Sequence, residues 1–287
     1  MKSRLIPLCG AFILTALMVV SASASPITSW DYTVDGAFVS WQTTVGTSGD
    51  YDNPTQGITG TGAKLLTYSF DQGIPVDPPA TVEGYSSLSW GNYIWSGPGP
   101  VYSLSPNAPV SSIGIIATSG TLITDGPNEL GMQLTHDNNV ITGGSIQLES
   151  GILRAILTLT PEGGVTLPVF STLLEFAFFE TTNGDAATED DVFVLLNPEA
   201  TTETFHYEGI DYVFSFENSF SLIPEVYRVL LGLPEGAVGW ITEEGLFNIQ
   251  DTFVSITALP TPEPTSVILM GLGLIGLAGL ARRRARL

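Results

Sequence analysis

The sequence predicts an all-β body over residues 25–260, an antiparallel β-sandwich with one short helix. Three observations carry that prediction. Short apolar runs alternate with a period of two, the spacing that sends successive side chains of a strand to opposite faces. The runs are rich in β-branched and aromatic residues, and 31 glycines and 19 prolines among 287 residues punctuate them with turns. The single cysteine, Cys9, precedes the body. No disulfide can staple the fold, which must rest on its core, and about 240 residues suffice to build one.

The elements follow in order. In KLLTYSF, Leu66, Tyr68 and Phe70 share a face. In ILRAILTLT, Leu153, Ala155, Leu157 and Leu159 take one face and Arg154 the other. LLEFAFFE sets Leu174, Phe176 and Phe178 opposite Glu175. FHYEGIDYVFSF reads as a hairpin turning at Glu208-Gly209, with Tyr212, Phe214 and Phe216 inward, and FVSITAL closes the body. IPEVYRVLLGLPEG is the one helical stretch: Pro224 stands at the first helical position, Glu225 follows, and Gly232 lies just past the end. No repeat of 20–50 residues appears, which argues against a solenoid. A join between two subdomains, if the body has them, falls in the Pro-rich stretch 97–109.

The two ends read differently. Lys2 and Arg4 precede an apolar run from Leu5 to Val20, and Ala22 and Ala24 form a small-residue cleavage pattern. That order describes a secretory signal peptide over residues 1–24, handled by the Sec machinery, in preference to an N-terminal anchor. At the far end, residues 265–281 carry no charge. A helix of that length spans about 26 Å, enough for a thin hydrocarbon core. Arg282, Arg283, Arg284 and Arg286 follow and belong on the cytoplasmic side. A plain permanent tail anchor is the simpler reading of this end.

Charge narrows the function classes. All 29 acidic residues lie between Asp31 and Glu263, where only Lys64, Arg154 and Arg228 oppose them. Such a surface repels nucleic acid and anionic lipid and attracts divalent cations, Ca²⁺ in particular. Without a thiol, the body offers neither cysteine catalysis nor cysteine-ligated zinc.

No catalytic constellation stands out. LTHDNN (Leu134 to Asn139) holds His136, one of two histidines. In a strand His136 and Asp137 point to opposite faces, so we read His136 as hydrogen-bonded inside the fold and Asp137-Asn138-Asn139 as a turn. ETTNGDAATEDDVF gathers oxygen donors at Glu180, Asn183, Asp185, Glu189, Asp190 and Asp191, the last five being the calcium candidates; a solvated hairpin tip is the plainer reading. In SWGNYIW, Trp90, Tyr93 and Trp95 read as core before sugar platform. His206 reads as a surface residue beside a turn. Glu243 and Glu244, adjacent in WITEEG, diverge in a strand and read as surface or turn, not as an acid pair.

Two resemblances extend these readings. Pro262, Glu263 and Pro264, a short Gly-rich span, and Arg282, Arg283 and Arg284 resemble the PEP-CTERM sorting signal of Gram-negative bacteria, over residues 261–287. That resemblance implies recognition and cleavage near Pro-Glu-Pro by exosortase, with the apolar helix as a temporary inner-membrane tether. It also implies an association with exopolysaccharide and biofilm. Thr135, His136 and Asn138 resemble the T-H-x-N signature of the THxN family of PEP-CTERM proteins, as do SLSWG, FFETTNG, DDVFVL and GWITEEG. That second likeness implies a secreted all-β body and supplies no activity. The expectation is therefore a secreted or cell-surface protein, not an enzyme, with a structural, adhesive or matrix role. The alternative is an extracellular carbohydrate-active enzyme or a carbohydrate- or calcium-binding module.

Overall fold

The computed structural model describes residues 25–97, 101–181, 190–198, 202–218 and 220–260, together with Gly273. The signal segment, the apolar tail and its arginines, Pro262–Pro264, Asn183, Asp185 and Glu189 lie outside the described residues. The described chain is β throughout except for one short helix. Its strands are β1 (Ser29–Thr43), β2 (Ser48–Asp50), β3 (Thr59–Asp71), β4 (Ile74–Trp90), β5 (Tyr93–Trp95) and β6 (Tyr102–Leu104). There follow β7 (Ser111–Ile116), β8 (Thr118–Ile123), β9 (Glu129–Asp137), β10 (Leu148–Pro161), β11 (Phe170–Phe179) and β12 (Asp191–Leu195). The last are β13 (Thr202–Tyr207), β14 (Ile210–Asn218), β15 (Ser221–Leu222), the helix α1 (Glu225–Leu230), β16 (Val238–Thr242) and β17 (Phe247–Ala258).

By internal contacts the chain divides into a main unit, residues 27–205 and 212–258, and a small one containing residues 206–211 and the chain ends. In the main unit one continuous sheet runs β13-β14-β17-β9-β7-β4-β1-β10-β11-β12-β16-β15. Strands β2 and β8 add to β1, and β3 bridges β4 and β11. The β3–β11 contact is parallel and brief, Phe70 beside Phe170 and Asp71 beside Ser171. The other described pairings are antiparallel, as the alternating sequence predicts. Strand β1 is the spine. It pairs with β10 from Trp30 to Thr43, and its other edge is shared among β8, β4 and β2.

The inward residues are those that the two-residue spacing selects. Leu153, Ala155, Leu157 and Leu159 are buried on β10, Leu174, Phe176 and Phe178 on β11, and Tyr212, Phe214 and Phe216 on β14. Rings from distant stretches of the sheet meet edge to face: Trp30 with Tyr212 at 5.0 Å, Phe38 with Phe176 at 5.9 Å, and Trp90 with Phe178 at 5.0 Å. Such pairs add about 0.5–1.5 kcal/mol beyond the area they bury. Trp95, expected in the core, is 56% exposed. It sits on the β5–β6 hairpin, which hydrogen-bonds apart from the large sheet.

Arg154 is also buried, although it points away from the leucines of its own strand. At Arg154 the second face of β10 is covered as well. The guanidinium donates to Asp71 Oδ1 at 2.8 Å and to Ser171 Oγ, and it lies 4.4 Å from the centre of the Tyr68 ring. The short parallel β3–β11 contact brings Asp71 and Ser171 together beneath it. Helix α1 starts one residue later than predicted, at Glu225. Pro224 is its cap, with ψ 147°, an extended value no helical residue takes. The helix buries Tyr227 against Val192, Val194 and Ile223. Gly239 on β16 has no room for a side chain, because an added Cβ would lie 2.0 Å from the Phe193 carbonyl oxygen.

In the small unit, Glu208 and Gly209 make the predicted turn with φ of 48° and 84°, a conformation glycine adopts at little cost. His206 Nδ1 lies 2.7 Å from Asp211 Oδ1, and both side chains are largely exposed.

Truncating Arg154 to Ala removes two charge-assisted bonds and a ring contact from a covered site, and we expect a loss of about 3 kcal/mol. Truncating Lys64, whose pairing with Asp35 is nearer solvent, costs about 1 kcal/mol or less. Urea denaturation of the two variants measures the difference, and equal losses would refute this account of Arg154.

Candidate functional site

The most unusual chemistry of the body is inside it. Six elements deliver polar groups to one buried region. Strand β4 ends in Trp90, and β9 ends in Thr135, His136 and Asp137, followed by Asn138. Strand β11 runs out into Glu180 and Thr181, and β12 opens with Asp191. Strand β16 closes with Thr242, two residues before Glu244, and α1 contributes Tyr227 at the margin. The antiparallel β12–β16 ladder sets Asp191 opposite Thr242. The β9–β7 and β7–β4 ladders bring His136 and Trp90 to the same end of the sheet.

His136 is 1% exposed and Asn138 is fully buried. The imidazole is boxed in by rings: Trp90 stacks on it at 5.7 Å, while Phe178 at 5.0 Å and Trp240 at 6.5 Å meet it edge-on. Its Nδ1 lies 2.8 Å from Thr242 Oγ1, and that hydroxyl donates to the Asp191 carbonyl at 3.3 Å. The Asn138 amide donates to the Thr242 carbonyl at 3.0 Å, and its backbone N–H to the Leu246 carbonyl. Thr242 thereby ties β9 to β12 and β16. His136 is hydrogen-bonded within the fold, as read from the sequence, while Asp137 faces out. The Asn138 and Asn139 side chains, however, do not bond their own turn. They reach across to Thr242 and to the Val110 carbonyl and so act as tertiary links.

Three carboxylates converge on the same region. Glu180 Oε2 accepts from the Trp90 indole N–H at 2.8 Å, and Asp191 Oδ1 accepts from the Thr181 backbone N–H at 2.8 Å. Both oxygens of Glu244 are shielded from solvent. Asp190, next in chain, accepts from the Tyr227 hydroxyl at 3.2 Å. The second atom of each polar group at the centre has no hydrogen-bonding protein group: His136 Nε2, Asn138 Oδ1, Glu180 Oε1 and Asp191 Oδ2. Among the described residues no three His, Cys, Asp or Glu side chains are grouped as metal ligands.

The electrostatics follow from burial. Desolvation pushes the Asp191 carboxyl up to about 9; the charges of Glu180, Glu244 and Asp190 push the same way, against the Thr181 N–H. Desolvation likewise pushes Glu180 up to about 7, helped by the Glu244 charge and opposed by the Trp90 N–H. Desolvation drops His136 to about 3, so the imidazole is neutral at ordinary pH. The cluster therefore holds protons on carboxyls and none on histidine. Aromatic rings surround its imidazole, and four open cavities of the surface are lined by other residues.

Sequence reasoning singled out His136, Asn138 and Asp191, put Glu180 in the acidic stretch and read Glu244 as surface or turn; it did not join either to His136, it did not point to Thr242, and the shielded oxygens of Glu244 correct its surface reading. One signal was available. Glu180 shares the parity of Phe176 and Phe178, so the strand that buries those rings carries Glu180 to the same face. The pairing of Asp191 with Thr242 had no local signal, since 51 residues separate them.

Stability should fall as pH rises. Folded Glu180 and Asp191 keep protons that the unfolded chain releases near the ordinary carboxyl values of 4.5 and 3.8. Their contribution is thus complete below about pH 4 and is lost as pH climbs through about 7 and about 9. His136 has the opposite sign, its contribution being lost as pH falls from 6.5 toward about 3. Asp191→Asn imitates the protonated carboxyl and should flatten the decline in melting temperature between pH 7 and 9. An unchanged slope in that variant would show that Asp191 does not hold the proton.

Residues 260–284 match the family model described as the PEP-CTERM protein-sorting motif. No curated protein matches the chain. The motif marks the chain as a substrate of exosortase-linked sorting, exported to the cell surface or beyond it.

Proposed function

We propose that the exported body is a non-catalytic structural or adhesive component of the extracellular matrix, working in or near exopolysaccharide. The observation that favours this reading is the enclosure of the cluster. Asp191 is fully buried, and the half-buried Glu180 has one oxygen shielded from solvent and the other held by the Trp90 indole N–H. General acid–base catalysis requires such groups within reach of a substrate proton. The all-β body is an antiparallel sandwich in this reading, built to persist outside the cell on its core alone. The signal peptide ends near Ala24 and is handled by Sec. Residues 265–281 then form a temporary tether, and exosortase removes it near Pro262-Glu263-Pro264.

Mass spectrometry of exported material tests the processing. The product should begin near Ser25 and end near Pro262–Pro264, and recovery of Arg282–Arg284 on it would refute the cut. Fractionating cultures tests the role: the processed body should sediment with the matrix and be released when the polysaccharide is digested. Recovery of the body entirely in the free medium would overturn the matrix reading.

A further inference from the structure

Two open cavities of the main unit share Glu175 and Leu196 as lining residues. One has a volume of about 350 Å³ and the other about 570 Å³. The two adjoin at these shared walls. Strand register sets the first part of this groove. Ser40 on β1 lies between Asp50 on β2 and Ile152 on β10, and Ile152 lies beside Glu175 on β11. One step along, Ser48, Gln42 and Ser150 form a parallel row. Between these rows, Trp41 and Phe176 turn inward and are buried, so Ser40, Gln42, Ser48 and Ser150 remain on the floor beside Ile152, with Leu196 at the edge. Beyond Glu175 the groove passes Thr172 and Thr202 to Glu203.

This lining has a definite chemistry. Hydroxyls and amides form most of the floor, with Ile152 and Leu196 as its apolar members, and carboxylates stand at intervals along the groove. Neither Lys nor Arg lines either cavity. A run of hydroxyl donors and acceptors is what such a surface recognises, and carboxylates are its strongest acceptors. An anionic polymer would meet Asp50, Glu175 and Glu203 without a cation to offset them. The length of the joined groove suits a chain rather than a single ring. Asp50 and Glu175 stand three strand spacings apart, about 14 Å along the sheet, while the carboxyl pairs of glycoside hydrolases lie about 5–9.5 Å apart. Asp50 and Glu175 are thus too far apart to act as such a pair.

We infer that the groove running from Asp50 past Glu175 to Glu203 binds an extended, uncharged, hydroxyl-rich glycan chain. The inference rests on the matrix reading above and supplies its point of contact.

The processed protein, purified from the exported fraction, is titrated by calorimetry with dextran, with alginate and with a lysine-rich peptide. The variants are Gln42→Ala and Glu175→Gln, both at exposed positions. Dextran should bind, each variant should weaken it about tenfold, and alginate should not bind. Cellulose and laminarin oligosaccharides extend the neutral series, because linkage selects among neutral glycans. The inference is overturned if no neutral glycan binds, if both variants bind as the parent does, or if the lysine-rich peptide alone binds. Melting temperatures of the two variants, expected to match the parent, separate loss of binding from loss of fold. Matrix sedimentation of the same variants distinguishes the two readings. Variants that lose glycan binding yet still sediment would leave the matrix reading standing on another surface. A parent that binds dextran but does not sediment would sink the matrix reading and leave the groove.

Discussion

The pairing of β1 along both edges is the constraint on which the rest of the structure depends. Its fifteen residues are long enough to bond β10 on one side and β8, β4 and β2 in turn on the other. No disulfide backs this arrangement up, so the ladder and the apolar side chains beneath it bear the stability. Trp30, Val34, Phe38 and Trp41 are nearly inaccessible to solvent along that one strand. Each such side chain contributes about 1.5–3 kcal/mol by leaving water. The bulge between Phe38 and Ser40 changes the register partway, which lets one strand serve two sets of partners.

A polar interior within this frame is a cost the core has to carry. Unpaired buried carboxylates are disfavoured by several kcal/mol unless they are neutralised. Here protonation does that work. The indole of Trp90 and the N–H of Thr181 each hold one oxygen of a carboxyl, while burial keeps the proton on. Thr242 links His136, Asn138 and Asp191 through its two oxygens. The stretches SLSWG, THDN, FFETTNG, DDVFVL and GWITEEG, far apart in sequence, each place at least one residue in this cluster. Their shared chemistry is structural: they join β4, β9, β11, β12 and β16 at one end of the sheet.

The acid-rich composition acquires meaning from where the few cations go. Lys64 is taken up by Asp35 and Arg154 by Asp71. Two of the three cations of the body are thus committed internally, and the groove keeps its carboxylates uncompensated. An exported acidic protein of this kind stays soluble and selects against anionic partners. The sorting motif at residues 260–284 marks it for export to the cell surface or beyond.

Strand identity was legible because the period of two is a local property. Leu153 to Leu159, Leu174 to Phe178 and Tyr212 to Phe216 could be assigned to the core without knowing their neighbours. The Glu208-Gly209 turn and the helix after Pro224 were equally local, as was the terminal sorting motif, whose parts adjoin in the chain. What covers a strand's second face is not local. Arg154 looked outward until β3 and β11 placed Asp71 and Ser171 over it, and Trp95 looked inward until its hairpin separated from the large sheet. The proton-holding cluster and the groove were decided by tertiary structure alone. Each brings together side chains from four or more strands, and the register between strands distant in sequence leaves no trace in either strand by itself.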